Sequence, residues 1–299
     1  MNRLLNKLSE NGITFSEQEP MSLHTSFKIG GTADLYVRPD SIAELKLAVS
    51  IANEENVPVT VVGNGSNLLV SDKGIEGMVI SLDKMCNITV SGEKIVAESG
   101  ALLGRVATMA MENSLWGMEF AAGIPGSIGG AVYMNAGAYE GEMSQIVTGV
   151  TVLDGSEIKK LINEECCFGY RHSIFSEKNY IILSAEITLE KGDREKICER
   201  MKELSCRRRE KQPLEYPSAG STFKRPEGYF AGALIEKSGL KGYTVGGAQV
   251  SEKHAGFVIN KGGATCADVL SVIKHIKEKV FSDSGVMLEE EVRVTGRAM

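Results

Sequence analysis

Two glycine-rich segments carry the residues whose types and spacing are best suited to chemistry. The first, Gly63-Asn64-Gly65-Ser66-Asn67, alternates glycine with short side chains that form hydrogen bonds. Because such a loop offers backbone amides without bulky side chains, a diphosphate can approach its main chain closely. A tight β-turn without a ligand has the same composition, so this loop alone leaves both interpretations open.

The second segment, residues 120–138, is apolar throughout, whereas glycine-rich linkers are normally polar. We therefore predict that it is buried against a flat partner. Its small residues would allow the main chain to contact a large ligand such as a dinucleotide. Close packing of turns in a core explains the same residues equally well. Neither segment is a Rossmann fingerprint, because no Gly-x-Gly-x-x-Gly lies between a strand and a helix with an acidic residue further on.

Composition narrows the classes of partner. The four histidines and six cysteines show neither metal-site spacing nor a Cys-x-x-Cys pair, so we expect free thiols and no metal. The net charge of -6 is spread along the chain, which argues against a nucleic-acid partner. No apolar stretch approaches the roughly 20 residues of a membrane-spanning helix. We expect a cytoplasmic protein that does not bind a membrane, and a monomer.

The order of motifs along the whole chain resembles the UDP-N-acetylenolpyruvoylglucosamine reductase family. The resemblance implies an α+β fold in which a vanillyl-alcohol-oxidase-type FAD-binding domain of two α+β subdomains precedes a smaller α+β substrate-binding domain. We place these domains at residues 1–204 and 205–299. The matching motifs are residues 63–69, 123–130, 134–139, 169–173, 219–226, 254–260 and 291–293.

The activity implied by this resemblance is a step of peptidoglycan precursor synthesis. It is the FAD-dependent reduction of UDP-N-acetylglucosamine enolpyruvate to UDP-N-acetylmuramate, with NADPH as co-substrate and FAD bound without a covalent link. No second dinucleotide motif is visible, which fits the family's use of one cleft in turn by NADPH and the sugar nucleotide. The FAD-binding residues implied are Gly63, Asn64, Gly65, Ser66, Asn67, Gly123, Ile124, Pro125, Gly126, Ser127, Gly129, Gly130, Asn135, Ala136 and Gly137.

Three catalytic residues follow from the same resemblance: Ser221 as proton donor, and Arg171 with Glu291 as the pair that stabilises the intermediate. Hydride delivery to a vinyl carbon pushes negative charge into the neighbouring carboxylate. An arginine fork can bind that carboxylate, a glutamate that holds a proton can donate to the oxyanion, and a fixed hydroxyl can protonate the new carbanion. The substrate-binding residues implied are Lys211, Lys224, Arg225 and His254.

The chain departs from the family pattern in its last motif. Glu290 occupies the place where the family usually has proline, so Glu289 and Glu290 compete with Glu291 for the catalytic role. The residues after the arginine motif, Ser176-Glu177-Lys178-Asn179, lead directly into a predicted strand. The chain therefore resembles the subgroup that lacks an extra tyrosine-bearing substrate loop.

Periodic patterns predict the elements that must position these residues. Ser41 and Glu44 form a capping-box pattern, and Ile42, Leu45 and Val49 lie on one face of the helix that follows. A charged segment at 193–211 with a sparse apolar stripe is predicted to be a surface helix near the domain boundary. The predicted helices are residues 41–56, 102–113, 193–211, 230–237 and 265–281, and the predicted strands 57–62, 68–70, 78–82, 147–153, 180–189 and 291–295.

Two other function classes remain possible at this stage. A sugar or hydroxy-acid oxidase on the same flavin fold would use oxygen as acceptor, although such enzymes usually have a longer second domain. A non-catalytic nucleotide-binding module would hold a diphosphate in the glycine loops but bind no flavin. A covalent flavin link at His24 is an alternative, but an ordinary turn histidine is the preferred interpretation.

Overall fold

A computed structural model describes residues 2–298, and helices and short strands alternate along this part of the chain. All five predicted helices are present within a few residues of their expected ends, and two more, α1 and α4, were not predicted. The seven helices are α1 (Asn2–Glu10), α2 (Ile42–Glu54), α3 (Leu103–Glu112), α4 (Ile128–Tyr133), α5 (Arg194–Lys211), α6 (Ala231–Lys237) and α7 (Cys266–Ser284).

The strands are short, and each predicted strand overlaps an observed one. They are β1 (Phe15–Pro20), β2 (Thr32–Val37), β3 (Val59–Val62), β4 (Leu68–Val70), β5 (Ile75–Ser81), β6 (Ile88–Ser91), β7 (Lys94–Glu98), β8 (Leu115–Trp116), β9 (Gly137–Ala138), β10 (Gly141–Glu142), β11 (Val147–Asp154), β12 (Glu157–Ile162), β13 (Tyr180–Thr188), β14 (Glu190–Lys191), β15 (Thr244–Val245), β16 (Ala248–Val250), β17 (Val258–Asn260) and β18 (Arg293–Thr295).

Strand pairing gives sheets of both orientations. A five-stranded sheet with the order β12-β11-β13-β7-β6 is antiparallel throughout, and a four-stranded sheet has the order β1-β2-β5-β3, in which β3 and β5 are parallel. A three-stranded antiparallel sheet has the order β15-β16-β17, and β18 pairs in parallel with β4. The mixture of helices with largely antiparallel sheets is the α+β class that was expected.

The described chain packs as two compact units. The first comprises residues 2–16, 35–64 and 77–208, and the second comprises residues 17–34, 65–76 and 209–298. The junction after Arg208 lies close to the predicted boundary after residue 204. The second unit also takes in two N-terminal segments that the sequence analysis had assigned to the FAD-binding domain. No periodicity marks them, because they join that unit through tertiary contacts.

The first unit has two apolar cores. One lies against the antiparallel sheet, where α4 packs on β13 and β7 through Ile128, Ala131 and Val132, which follow helical spacing. The other includes the buried face of α2, whose capping residue Ser41 accepts a hydrogen bond from Glu44 N at 3.3 Å. The capping-box prediction is thereby confirmed at its Ser41 hydroxyl.

The core of the second unit is built on α7. Thr265 and Asp268 form a reciprocal capping box at its start, and Val269, Ile273 and Val280 are buried along one face. This face packs on β15 and β16. All six cysteines are free thiols, and among residues 2–298 no helix combines the length and hydropathy that a membrane span requires.

Candidate active site

The loop after β3 meets the second glycine-rich segment inside the first unit. A β-carbon at position 63 would lie 2.5 Å from Ser127 Oγ, so a larger residue there would displace that hydroxyl. Asn64 Nδ2 donates a hydrogen bond of 2.7 Å to Pro125 O. Two segments that are separated in sequence, 63–64 and 125–127, are therefore held together as the predicted FAD site requires.

Ser127 has the most informative side chain of this site. Ser127 is only 2% exposed, and its hydroxyl has no hydrogen-bond partner among residues 2–298. It precedes α4 but its side chain does not cap that helix. A buried hydroxyl without a partner costs free energy. This orphaned group fits a bound polar ligand, and the chemistry of FAD, which is rich in phosphate and hydroxyl oxygens, suits it.

The side chain of Asn135, in contrast, forms hydrogen bonds within the protein. Asn135 is 1% exposed, its Nδ2 donates to Gly169 O at 2.9 Å, and its Oδ1 accepts from Ser144 N at 2.9 Å. Its φ of 43° lies in the left-handed region, which asparagine tolerates better than most residues. The structure therefore shows Asn135 as a residue that fixes the 134–138 segment through its side chain.

Gly129 and Gly137 also have packing reasons for being glycine. A β-carbon at position 129 would collide with Ser99 Oγ, and one at position 137 would lie 2.7 Å from Gly141 O. Close packing, the alternative weighed for the apolar segment, thus accounts for these two glycines. The remaining small residues of the segment, including Gly126, Gly130 and Ala136, lie in the same first unit.

Arg171 lies along the 135–137 segment. Its Nη2 donates to Gly137 O at 3.1 Å, its Nη1 approaches Asn135 O at 3.5 Å, and its guanidinium is 5.1 Å from the centre of the Tyr170 ring. Its φ of 54° is unusual for a residue that is not glycine. Such strain persists only where surrounding structure enforces it, and it is often found at functional sites.

Arg208 was missed by the sequence analysis. It is half-buried on α5, its Cδ lies 3.1 Å from the position of a β-carbon at Gly123, and it has no hydrogen bond or ion pair within residues 2–298. Burial lowers the pKa of its guanidinium from the ordinary value. An arginine held beside the glycine-rich segment without a carboxylate can bind an anion. The available signal was its spacing of four residues from the buried Leu204, which places both on one helix face.

The remaining loop residues, Gly65, Ser66 and Asn67, belong to the second unit. Gly65 has a φ of 61°, and a β-carbon there would collide with His24 O. Asn67 Nδ2 donates to Glu291 O at 3.0 Å, so the end of the loop holds the backbone of the proposed catalytic glutamate. His24 Nε2 lies 2.8 Å from Glu19 Oε1, which accounts for this histidine without a flavin link.

Thr222 connects three motifs in the second unit. Its backbone N–H donates to Gly256 O at 2.9 Å, its hydroxyl accepts from Val258 N at 3.0 Å, and its carbonyl accepts from Glu291 N at 2.9 Å. The motifs at 219–226, 254–260 and 291–293 therefore converge. Ser221, the predicted proton donor, precedes Thr222 and is exposed, and no helix begins there. Ser221 is therefore not a helix cap.

The three consecutive glutamates have different surroundings. Glu289 forms an ion pair with Lys224, and Glu290 forms one of 2.7 Å with Lys277 of α7. Glu291 is fixed through its backbone, as described above. Since Lys224 was predicted to bind substrate, its ammonium would have to be shared with or released from Glu289.

The other predicted substrate-binding residues also lie in the second unit. The guanidinium of Arg225 is 4.0 Å from the centre of the Phe230 ring, which is a cation–π contact on an exposed aromatic side chain. Lys211 is exposed at the end of α5. His254 is half-buried, and burial lowers the pKa of its imidazole from the ordinary value.

Comparison with known proteins identifies the family. Proteins named UDP-N-acetylenolpyruvoylglucosamine reductase from Clostridium perfringens strain SM101 and from Pediococcus pentosaceus are each 54% identical to this chain, over 279 residues (93% of this chain and 92% of the relative) and over 282 residues (94% of each). The chain belongs to the UDP-N-acetylenolpyruvoylglucosamine reductase family. The profile of that reductase's C-terminal domain matches residues 212–295, and that of an FAD binding domain matches residues 33–158.

A solved structure agrees with this assignment. The crystal structure of UDP-N-acetylenolpyruvylglucosamine reductase from Thermus caldophilus superposes with a TM-score of 0.82 at 33% identity, covering 95% of this chain and 98% of that chain. The predicted fold, an FAD-binding domain followed by a smaller α+β domain, is confirmed. As a member of the UDP-N-acetylenolpyruvoylglucosamine reductase family, the protein is an FAD-dependent oxidoreductase.

Proposed function

We propose that this protein reduces UDP-N-acetylglucosamine enolpyruvate to UDP-N-acetylmuramate with NADPH, as a cytoplasmic monomer of peptidoglycan precursor synthesis. The observation that carries the proposal is 54% identity over 93% of the chain to proteins named for this reductase. FAD, held beside Gly63, Gly123, Ser127 and Arg208, would supply the hydride chemistry that connects NADPH with the sugar nucleotide. Hydride addition at the vinyl carbon of the substrate would leave a carboxylate-stabilised anion that needs one proton.

Ser127 and Arg208 support non-covalent FAD binding by the first unit. A buried hydroxyl without a partner and a half-buried guanidinium without a carboxylate both gain hydrogen bonds from phosphate or hydroxyl oxygens. Gly63 and Gly123 lie beside these two side chains. Asn135 supports the site indirectly, because it holds the 134–138 segment in place.

Arg171 and Glu291 are proposed to stabilise the charge that develops on the substrate carboxylate. A planar guanidinium presents two parallel N–H groups to a carboxylate, and a protonated glutamate can donate to the growing oxyanion. Glu291 is chosen for its place in the motif, whereas Glu289 and Glu290 form ion pairs with Lys224 and Lys277.

Ser221 is proposed to deliver the proton. Its hydroxyl is exposed, and its backbone is fixed through the neighbouring Thr222, so the hydroxyl can be aimed at a substrate carbon. Lys211, Lys224, Arg225 and His254 are proposed to bind the sugar nucleotide. Three of these four are cations in the same unit, which suits a substrate with a diphosphate and a carboxylate.

The chain is also proposed to belong to the subgroup without the tyrosine-bearing loop. Only residues 172–179 separate Arg171 from β13, and Ile174 to Ser176 form a single helical turn there. So short a connection has no room for a loop that folds over the substrate.

A visible spectrum of the purified protein tests the proposal. The flavin bands should bleach on addition of NADPH under nitrogen and return on addition of the enolpyruvyl sugar nucleotide, and acid precipitation should release the flavin into the supernatant. Return of the bands with oxygen but not with the sugar nucleotide would indicate an oxidase. A protein that stays colourless after reconstitution with FAD would indicate a nucleotide-binding module.

A further inference from the structure

The imidazole of His254 is clamped by the backbone of two glycines in the second unit. A β-carbon at Gly232, in the first turn of α6, would lie 3.1 Å from His254 Cε1. A β-carbon at Gly256 would lie 3.0 Å from Cε1 and 3.1 Å from Nδ1. The Phe257 ring meets the imidazole edge to face at 5.1 Å between centroids. The ring is therefore held in one orientation.

One hydrogen bond fixes which nitrogen of this ring bears the proton. The backbone N–H of Gly256 donates to Nδ1 of His254 at 3.1 Å, so Nδ1 must offer a lone pair. A neutral imidazole with an accepting Nδ1 carries its hydrogen on Nε2. Nε2 has no hydrogen-bond partner within residues 2–298. The Nε2–H group of His254 is therefore a fixed donor that forms no hydrogen bond within residues 2–298.

The charges around the ring favour the neutral form. Burial is the main cause that lowers the pKa of His254, and the ammonium groups of Lys241 and Lys211 act in the same direction. Two influences raise the pKa of His254 instead: a hydrogen bond of the ring with the backbone of His254 itself, and the carboxylate of Glu236, which is paired with Lys241 at 2.6 Å. Protonation would also turn Nδ1 into a second donor facing the Gly256 N–H.

We infer that His254 is an uncharged hydrogen-bond donor of the substrate site: its Nε2–H binds an acceptor oxygen of the sugar nucleotide, and the ring supplies no proton to the reaction. The inference rests on the proposed function for the identity of the ligand. Thr222 N–H bonds to Gly256 O, so the clamp is joined directly to the segment of the proposed proton donor Ser221. A donor without charge can orient an oxygen there and leave protonation to the serine.

The tautomer can be measured without any assumption about activity. Long-range proton–nitrogen correlation spectra of the whole flavin-loaded protein, labelled with ¹⁵N-histidine, should show His254 as the Nε2–H tautomer at pH 7. Loss of the signal in His254→Gln would assign it. An imidazolium at pH 7, or an Nδ1–H tautomer, would overturn the inference even if the enzyme reduces its substrate as proposed.

Two substitutions separate the two ring nitrogens. The amide nitrogen of glutamine reaches the position of Nε2, whereas asparagine reaches only that of Nδ1. We expect the KM for the sugar nucleotide to rise about 5–150-fold in His254→Asn, the loss of one hydrogen bond to a buried partner, and clearly less in His254→Gln. His275→Asn, whose ring stacks on Tyr243 instead, is the control histidine.

The pH profile gives an independent reading. The KM of the wild type should rise relative to that of His254→Gln only as the pH falls below the ordinary histidine range, because burial lowers the pKa of His254 and protonation breaks the Gly256 bond. NADPH reduction of the flavin should be equal in all variants. Equal KM values for the Asn and Gln variants, or parallel pH profiles, would refute the inference. Failure of the wild type to oxidise NADPH with the sugar nucleotide would instead refute the proposed function.

Discussion

Replacement of Ser127 by alanine is predicted to stabilise the flavin-free protein and to weaken FAD binding. The two effects have one physical cause. The Ser127 hydroxyl is removed from water but has no partner within residues 2–298, so the flavin-free fold carries the cost of its desolvation. Alanine removes that cost, and it also removes the hydrogen bond that FAD would supply.

The magnitude follows from these two contributions. An unsatisfied buried hydroxyl costs about 1–3 kcal/mol, and a satisfied one contributes about 0.5–1.5 kcal/mol net. The sum, about 1.5–4.5 kcal/mol, corresponds to a rise in the Kd of FAD by roughly one to three powers of ten. The Tm of the flavin-free form should rise by about 2–4 °C for each kcal/mol gained, the usual ratio for a domain of about 150–250 residues.

Calorimetry of the flavin-free protein and titration with FAD, followed by quenching of flavin fluorescence, measure both quantities. Ser173→Ala is the matched control, because Ser173 is equally buried but its hydroxyl donates to Tyr133 O at 2.6 Å. That variant should lower the Tm of the flavin-free form. If Ser127→Ala lowers the Tm in the same way and leaves the Kd of FAD unchanged, the hydroxyl is not kept for a ligand and the reasoning fails.

Three further predictions concern charge and proton transfer. Arg208→Met should raise the Kd of FAD about 10–150-fold through loss of a charge-assisted hydrogen bond. Arg207→Met, which removes only the surface ion pair with Glu203, should not change the Kd. Equal Kd values in the two variants would refute the role of Arg208. Glu291→Gln should lower turnover about a hundredfold or more with a smaller change in KM, and steady-state kinetics in which Glu290→Gln is inactive instead would show that the assigned register is wrong. Ser221→Ala should leave flavin reduction by NADPH within a few-fold in rapid mixing but slow the second half-reaction by about two to four powers of ten. Equal slowing of both steps would mean that the substitution only disturbed the structure.

Secondary structure was largely predictable because most helices present a regular apolar face. The spacing of Val269, Ile273 and Val280 identified α7, and the Ser41 cap marked the start of α2. Two features were not predicted from local patterns. Helix α4 has only six residues, and three of them are glycine or alanine. The grouping of residues 17–34 and 65–76 with the second unit depends on tertiary contacts that no local pattern records.

The candidate site was predictable in its segments but not in the role of each residue. Composition marked residues 120–138 as unusual, yet Gly129 is explained by packing on Ser99, and Asn135 by hydrogen bonds within the protein. Arg208 was overlooked because it lies between two exposed arginines in a charged run. Arg208 is half-buried because it lies on the same face of α5 as Leu204, and that face can be recognised only once Leu204 is known to be buried.

The glycine-rich segments contain two kinds of polar residue: those whose side chains form hydrogen bonds within the protein, and those whose side chains are left to bind a ligand. Asn135 uses its side-chain amide within the first unit, so a ligand can gain little from that side chain, although substitution would disrupt the segment. The Ser127 hydroxyl makes no hydrogen bond within residues 2–298, so its burial has no structural partner and points to a ligand. The same reasoning applied to the second unit selects His254 Nε2, since Nδ1 is occupied by Gly256. Substitutions of the first kind should therefore act mainly on stability, and substitutions of the second kind mainly on binding.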